Sequence, residues 1–295
     1  MSVQGIPRTS PGLRAAGWAQ RGRTIVLAYS TTTFTVAAAV VIVGLPVLAL
    51  FMTHRFSPFT PDPNMISIAP NATHWFGTDG NGMDVFSRTI EAAKLDLPIS
   101  LGATALALLV GVPLGLFATS GRAGDMLMRI VDAFAALPTI VIAVVAIQLM
   151  GGTAFDVVLA IAVVAAPRFV RLSRAAALSL RSARYVEAAI ATGCSPLRVA
   201  FNHIFRNAYG VVLVQATLTA ANALGTIAAL NFLGVGAKPP QPSWGGMIGD
   251  GFSMLIRGDW WASAFPALAM LLAIASLNIL AGALESRIER VERAK

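Results

Sequence analysis

Six stretches of this sequence are apolar for long enough to cross a lipid bilayer, and that feature limits the possible folds more than any other. A helix crosses the ~30 Å hydrocarbon slab with about 20 mainly apolar residues, because each residue advances it by ~1.5 Å. The stretches are Ile25 to Met52, Leu97 to Thr119, Met126 to Met150, Ala154 to Val170, Ala208 to Gly236, and Ala262 to Leu284. The fourth is the shortest, because Pro167 and Arg168 cut into its apolar run. Composition agrees: 56% of the 295 residues are hydrophobic and 12% charged, about half the charge of an average soluble protein. The expected fold is therefore all-α and integral to the membrane, with six transmembrane helices. The first stretch reads as a retained anchor rather than a signal peptide. Its apolar run is about twice a usual signal core, and Phe51-Met52-Thr53-His54 offers no small-residue cleavage site.

Lysine and arginine set the direction, since they are held on the cytoplasmic side during insertion. With residues 1–24 inside, seventeen of the 22 basic residues fall in cytoplasmic pieces, and only Arg55, Arg88, Lys94, Lys238 and Arg257 fall outside. Arg168 counts among the seventeen, at the inner end of the fourth span. Both termini are thus expected in the cytoplasm. The net charge of +8 is mainly a topology signal; nucleic-acid binding is disfavoured because the basic residues are split among four cytoplasmic pieces. The layout is a cytoplasmic segment 1–24, a first span 25–52, an external segment 53–96, a core 97–284, and a cytoplasmic tail 285–295. The core carries an inside connection, 182–207, and an outside one, 237–261.

Several chemistries drop out. A single cysteine, Cys194, makes no internal disulfide, and with three scattered histidines it builds no zinc cluster. No G-x-x-x-x-G-K-[ST] phosphate loop is present, so the chain does not hydrolyse ATP itself. The outside acids Asp79, Asp84, Asp250 and Asp259 lack a nucleophile or histidine partner in any catalytic motif. A self-sufficient secondary transporter predicts inverted repeats and charged half-helices at mid-membrane, and neither is visible.

The inside connection reads SARYVEAAIATGCSPLRVAFNHIFRN from Ser182 to Asn207. A first short helix runs from Ala183 to about Thr192, ended by Gly193, which takes left-handed geometry readily. Ser195 caps a second helix, with Pro196 in its first turn, where the missing N–H costs nothing. Small residues at Ala188, Ala189 and Ala191 allow close approach, and Leu197, Val199, Ala200, Phe201 and Ile204 form an apolar stripe. From pattern alone this elbow is either a docking element or a loop lying at the lipid headgroups.

Glu187-Ala188-Ala189, then Gly193, then Ile204-Phe205 resembles the EAA loop of the membrane subunits of bacterial ABC importers, the element that seats in a groove of the ATPase. Outside, His74-Trp75-Phe76-Gly77-Thr78-Asp79, with Gly82, Asp84-Val85 and Ser87-Arg88, resembles the signature of the dipeptide, oligopeptide and nickel permease subfamily. Met126, Arg129, Val131 and Asp132 before Ala136-Leu137-Pro138 are similar to its third-span pattern. Phe232 to Gly236, then Pro239-Pro240, Pro242, Trp244-Gly245 and Met247, are similar to its fifth-span exit. Met83 stands where that signature usually has Arg, and Arg206 where the loop's tail usually has Pro, so the second elbow helix is free to run on into the fifth span.

The resemblance implies the shorter of two permease types, with the type I transmembrane fold, in a bacterial inner membrane. It implies two ATPase subunits holding ATP and magnesium, a second related permease, and an external solute-binding protein delivering dipeptides or oligopeptides. Nickel-chelate and glutathione are alternative cargoes. It further implies that Arg184, Glu187, Ala188, Ala189, Gly193, Ser195, Pro196 and Ile204 couple to the ATPase, with Glu187 as the polar contact.

Intramembrane polar residues are candidates for the pathway or for a helix interface: Gln148, Gln215, Asn222, Thr226 and Asn231, with Thr217, Thr219 and Asn278 beside them. The spacing puts Gln215, Asn222 and Thr226 on one face. Asp132 is expected to pair with Arg129, Pro138 to kink the third span, and Gly111 with Gly115 to mark tight packing. Trp244, Trp260 and Trp261 are expected in an outer aromatic belt.

Overall fold

The computed structural model describes residues 56–119, 121–181, 183–195 and 198–293. The first predicted span, 25–52, and the segment 1–24 lie outside the described residues, as do Ser182, Pro196 and Leu197. The described residues form α1 (Val85–Phe117), α2 (Gly121–Ala135), α3 (Thr139–Met150), α4 (Ala154–Arg181), α5 (Arg184–Ala191), a π-helical segment Val199–Phe205, α6 (Arg206–Phe232), α7 (Trp244–Leu255) and α8 (Trp261–Arg293). Among them, α1, α6 and α8 are long and apolar enough to span a membrane, and the bent pair α2 and α3 makes a fourth if taken as one span.

The helix boundaries follow local chemistry. Asp84 caps α1 by accepting the Ser87 N–H at 2.8 Å, so the second span begins twelve residues before the predicted Leu97 and draws the end of the external segment into its helix. Pro98 and Pro113 sit inside α1 without ending it. The predicted third span is not one kinked helix. α2 and α3 meet at 91°, because Pro138, extended and without an N–H, takes the N-cap position of α3. Gly151, at φ +113°, closes α3, and a reciprocal cap opens α4: Thr153 N–H donates to Asp156 and Asp156 N–H returns to the Thr153 hydroxyl, at 2.8 and 3.3 Å.

The fourth predicted span is longer than expected. α4 runs through Pro167 to Arg181; Asp156, Arg168 and Arg171 all fall within its first 18 residues, which is why it lacks the composition of a simple lipid-facing span. The fifth span starts with no break at Arg206, whose backbone is helical and continues the π segment. The sixth extends through the predicted tail to Arg293.

With the orientation expected from the basic residues, packing divides into an outer, a central and an inner cluster. The outer one joins Val85 and Leu97 of α1, Leu224 of α6, Trp244 and Met254 of α7, and Trp261 of α8. The central one joins Ile99, Ile147, Ile161 and Ile227 from α1, α3, α4 and α6. The inner one gathers Val112 and Leu116, Phe169 and Ala177, and Val186, Ala189, Val199 and Ile204 of the elbow. Gly111 and Gly115 let α1 lie against α4: a Cβ at Gly115 falls 2.4 Å from the Val170 carbonyl oxygen, and one at Gly111 falls 2.7 Å from Phe169 Cβ. The small-residue pair thus serves close packing within the chain.

Candidate functional site

The external signature folds into a cap over the outer ends of α1, α7 and α8. Its backbone is tied at Thr78, whose N–H donates to the Ile68 carbonyl at 2.9 Å and whose hydroxyl accepts the Ile68 N–H at 2.8 Å while donating to the Met65 carbonyl. Gly82 has no alternative residue here. Its φ is +75°, and a Cβ would lie 1.8 Å from the Asp62 carbonyl oxygen. His74 is buried, its Nδ1 2.9 Å from the Asp84 carboxylate, whose other oxygen caps α1; the Phe56 ring lies 4.3 Å from the imidazole, centroid to centroid. Gly77 is equally closed in, between the Ile68 carbonyl and the Trp261 indole. Trp75 is the exception, exposed and edge-on to Phe86.

Arg88 locks the cap to the rest of the fold. Its buried guanidinium donates to the Pro58 carbonyl at 2.7 Å, reaches the Pro240 carbonyl at 3.4 Å, and lies 3.4 Å from Asp79. Met83, where the family pattern has a second arginine, is buried with its sulfur 2.9 Å from the Arg88 Nη1. The Asp250 carboxyl, on α7, is held above its ordinary range by burial; Arg88 opposes that shift and Asp79 adds to it. Arg88→Gln is therefore expected to leave Asp79 short of its counter-charge and to cost about 3–5 kcal/mol, read as a lower melting temperature with new proteolytic cuts in 56–84. An unchanged melt and digestion pattern counts against this role.

The predicted tryptophan belt is only partly present. Trp260 is exposed, but Trp244 is fully buried and Trp261 nearly so. Each indole N–H has a backbone acceptor on the neighbouring layer: Trp244 donates to the Thr89 carbonyl at 2.8 Å, and Trp261 to the Thr78 carbonyl at 3.0 Å. The Trp244 backbone N–H donates to Asp96 at 2.8 Å. These tryptophans pin α7 and α8 to α1 and the cap, and do not anchor in headgroups. Neither Thr89 nor Asp96 stands out in the sequence, although Asp96 has no base three or four residues away on its helix. Next to Trp244, Gly245 lets α7 touch the α6 backbone at Ala228. Pro239 and Pro240 are exposed in the loop before it.

On the other side, α5 presents Arg184, Tyr185, Ala188 and Ala191 outward and buries Val186 and Ala189. Gly193, exposed at φ +82°, makes the corner. Ser195 follows, exposed, with the Arg198 N–H 3.4 Å from its hydroxyl. Ala189 and Ile204, also coupling candidates, pack into the inner core. The side chain of Glu187 lies outside the described residues, but by the helical repeat its position belongs with Arg184, Ala188 and Ala191.

Of the intramembrane candidates, Asn222 and Thr226 line one crevice with Thr219, Thr139 and Arg168, while Gln215 donates to the Thr219 hydroxyl at 3.2 Å. Asn231 is buried and accepts the Ala237 N–H at 2.9 Å, which commits it to the turn after α6. Gln148 is exposed on α3. Asp132 does not pair with Arg129; it meets Arg171 of α4 at 3.0 Å, and Asp125 meets Arg174 at 2.7 Å.

Residues 92–290 match the family described as "Binding-protein-dependent transport system inner membrane component". The chain is 35% identical over 267 residues to the "Probable D,D-dipeptide transport system permease protein DdpC" of Escherichia coli (strain K12), covering 88% of each chain. It is 38% identical to the "Dipeptide transport system permease protein DppC" of Alkalihalophilus pseudofirmus, covering 75% of this chain and 73% of the relative. Among solved structures, an inward-facing form of the MetNI methionine ABC transporter superposes with a TM-score of 0.54 at 20% identity, over 70% of this chain and 95% of that one. That likeness is one of fold.

Proposed function

The chain belongs to the family of binding-protein-dependent transport system inner membrane components, the permease subunits of ABC importers, and from that premise we propose that it forms half of a peptide translocation path coupled to ATPases through the 182–207 elbow. What carries the peptide class is the 35% identity to a dipeptide permease across 88% of both chains. The coupling assignment is supported by the elbow's construction. Its inner face is welded to α4 and α6 through Phe169, Ala177, Val186, Val199 and Val212, so force applied to the outer face at Arg184, Glu187, Ala188 and Gly193 reaches the spans as rigid-body motion. ATP-driven closure of two partner ATPases, which hold the nucleotide and magnesium, would then favour one arrangement of the spans over the other. An external binding protein delivers the cargo, and a second, related permease completes the path.

The direct test is gentle extraction of the tagged chain from its native membrane, mass spectrometry of what stays bound, and reconstitution with any solute-binding protein recovered with it. Phosphate-loop ATPases, a second permease and ATP-dependent uptake of dipeptides or oligopeptides are the expected result. A chain recovered alone that moves solute without ATP overturns the proposal.

A further inference from the structure

Three arginines follow one another at intervals of three on α4, and only two have a counter-charge. Arg174 meets Asp125 and Arg171 meets Asp132, both acids on α2. One step further out, α2 has ended at Ala135 and α3, TIVIAVVAIQLM, carries no acid. Arg168 is left with no ion pair or hydrogen bond among the described residues. It stands 14 residues past Ala154, so ~21 Å below the outer end of α4 at ~1.5 Å per residue, within a slab ~30 Å thick. The outer level is marked by Lys238 Nζ, 3.5 Å from the Gly151 carbonyl. That is the level the sequence reading gave it, two residues before the inner end of the predicted span, and α4 continues past it to Arg181. The side chain is exposed on the helix surface, and an arginine without a counter-charge inside the slab is a functional-site candidate.

Its surroundings carry no charge. The crevice it lines, beside the break between α2 and α3, is formed by Thr139 and by Thr219, Asn222 and Thr226 of α6, with four apolar side chains of α4 and α6 beside them. The Asn222 amide donates to the Leu218 carbonyl at 2.9 Å and the Thr226 hydroxyl to the Asn222 carbonyl at 2.9 Å. That leaves the second Asn222 N–H as a donor for an anion while the Thr226 proton is committed to the backbone, and none of these groups can neutralise the arginine. A planar guanidinium with free donors matches a carboxylate best, through two parallel hydrogen bonds.

We propose that Arg168 is a carboxylate-recognition point in the translocation path, holding the C-terminal carboxylate of the passing peptide. This rests on the peptide-importer reading above. The C-terminal carboxylate is common to every unmodified peptide, so a path that grips it there needs no contact with the variable side chains. The arginine gives the path a preference for acids over amides while leaving it permissive in sequence.

The test uses the assembled importer in phosphatidylcholine nanodiscs without binding protein, with this chain carrying C194A, which removes its only cysteine, and Thr226→Cys. The rate of thiol labelling of position 226, read on this chain after separation, is measured with and without trialanine or trialanine amide. Trialanine is expected to slow labelling about fivefold, the scale of one charge-assisted contact, and the amide to leave it unchanged. R168Q should erase that protection and R168K should keep part of it. Equal protection by acid and amide, protection that survives R168Q, or no protection overturns the proposal. Protection that appears only when phosphatidylglycerol is added to the discs assigns the arginine to a lipid phosphate and also overturns it. Failure of the peptide reading shows separately, as absence of ATP-driven uptake of trialanine and of mixed tripeptides by the unmodified importer.

Discussion

Glu187→Lys is expected to abolish ATP-driven uptake, by about 100-fold or more, while the chain still inserts and assembles with its partner permease. The expectation follows from where α5 puts the substitution. Val186 and Ala189, which hold the helix to the inner core, are untouched, so the elbow keeps its shape. The changed position shares the helical face of Arg184, Ala188 and Ala191, which is exposed and which the proposed coupling turns toward the ATPase. Reversing a charge that is desolvated at such an interface costs about 2–5 kcal/mol or more, because the partner group loses its counterpart and faces a like charge. Glu187→Gln, which keeps hydrogen bonding without the charge, should fall between the two. The measurement is uptake into proteoliposomes alongside ATPase co-purification and the yield of the permease pair. Normal uptake in the lysine variant would remove the coupling role from this residue.

The residues whose roles were legible in the sequence share one property: their signal is local. Gly193 ends a helix because of its own backbone freedom, and the structure finds it at φ +82°. The long apolar runs of α1, α6 and α8 announce themselves by composition, and the missing proline at Arg206 correctly allowed the elbow to run on into α6. What was misread depends on contacts far apart in the chain. Trp244 looks like an interfacial tryptophan until its indole is seen to reach Thr89, 155 positions away. Asp132 has Arg129 three residues before it, yet its partner comes from 39 residues on, because α4 passes beside α2 with Arg171 in reach. Arg168 shows the same limit from the other side. Positive-inside counting treats it as one more cytoplasmic arginine, and only the fold shows that the acids of α2 reach Arg171 and Arg174 and stop short of it. The external signature was recognisable as a pattern, but its physical reason, a cap knotted by Thr78, Gly82 and Arg88, is invisible without the fold.

Gly245→Ala is expected to damage the chain more than any other single methyl group added to its helices. α7 crosses α6 with backbone against backbone: the added Cβ would lie 2.1 Å from the Ala228 carbonyl oxygen and 2.6 Å from its Cα. Neither helix can yield alone. α7 is held one residue earlier by Trp244, which is fully buried and bonded to both Asp96 and Thr89, and six residues later by Gly251, where a Cβ would again meet backbone, at Ala262. Ala228 in turn sits between the core residues Ile227 and Leu230 on α6. Overpacking a mobile side-chain contact costs about 1–3 kcal/mol; here the obstacle is main chain fixed on both sides, so the upper end of that range or beyond applies. The melting temperature in mild detergent should fall by about 5–10 °C, with loss of the cap's protection from proteolysis because α7 carries it. Gly225→Ala on α6 is the control, since its Cβ would find only Ile274 Cδ1 at 4.0 Å; its melt should be unchanged or raised slightly by the better helix former. Equal melting of the two variants would mean that α7 moves freely over α6 and that Trp244 does not pin it there.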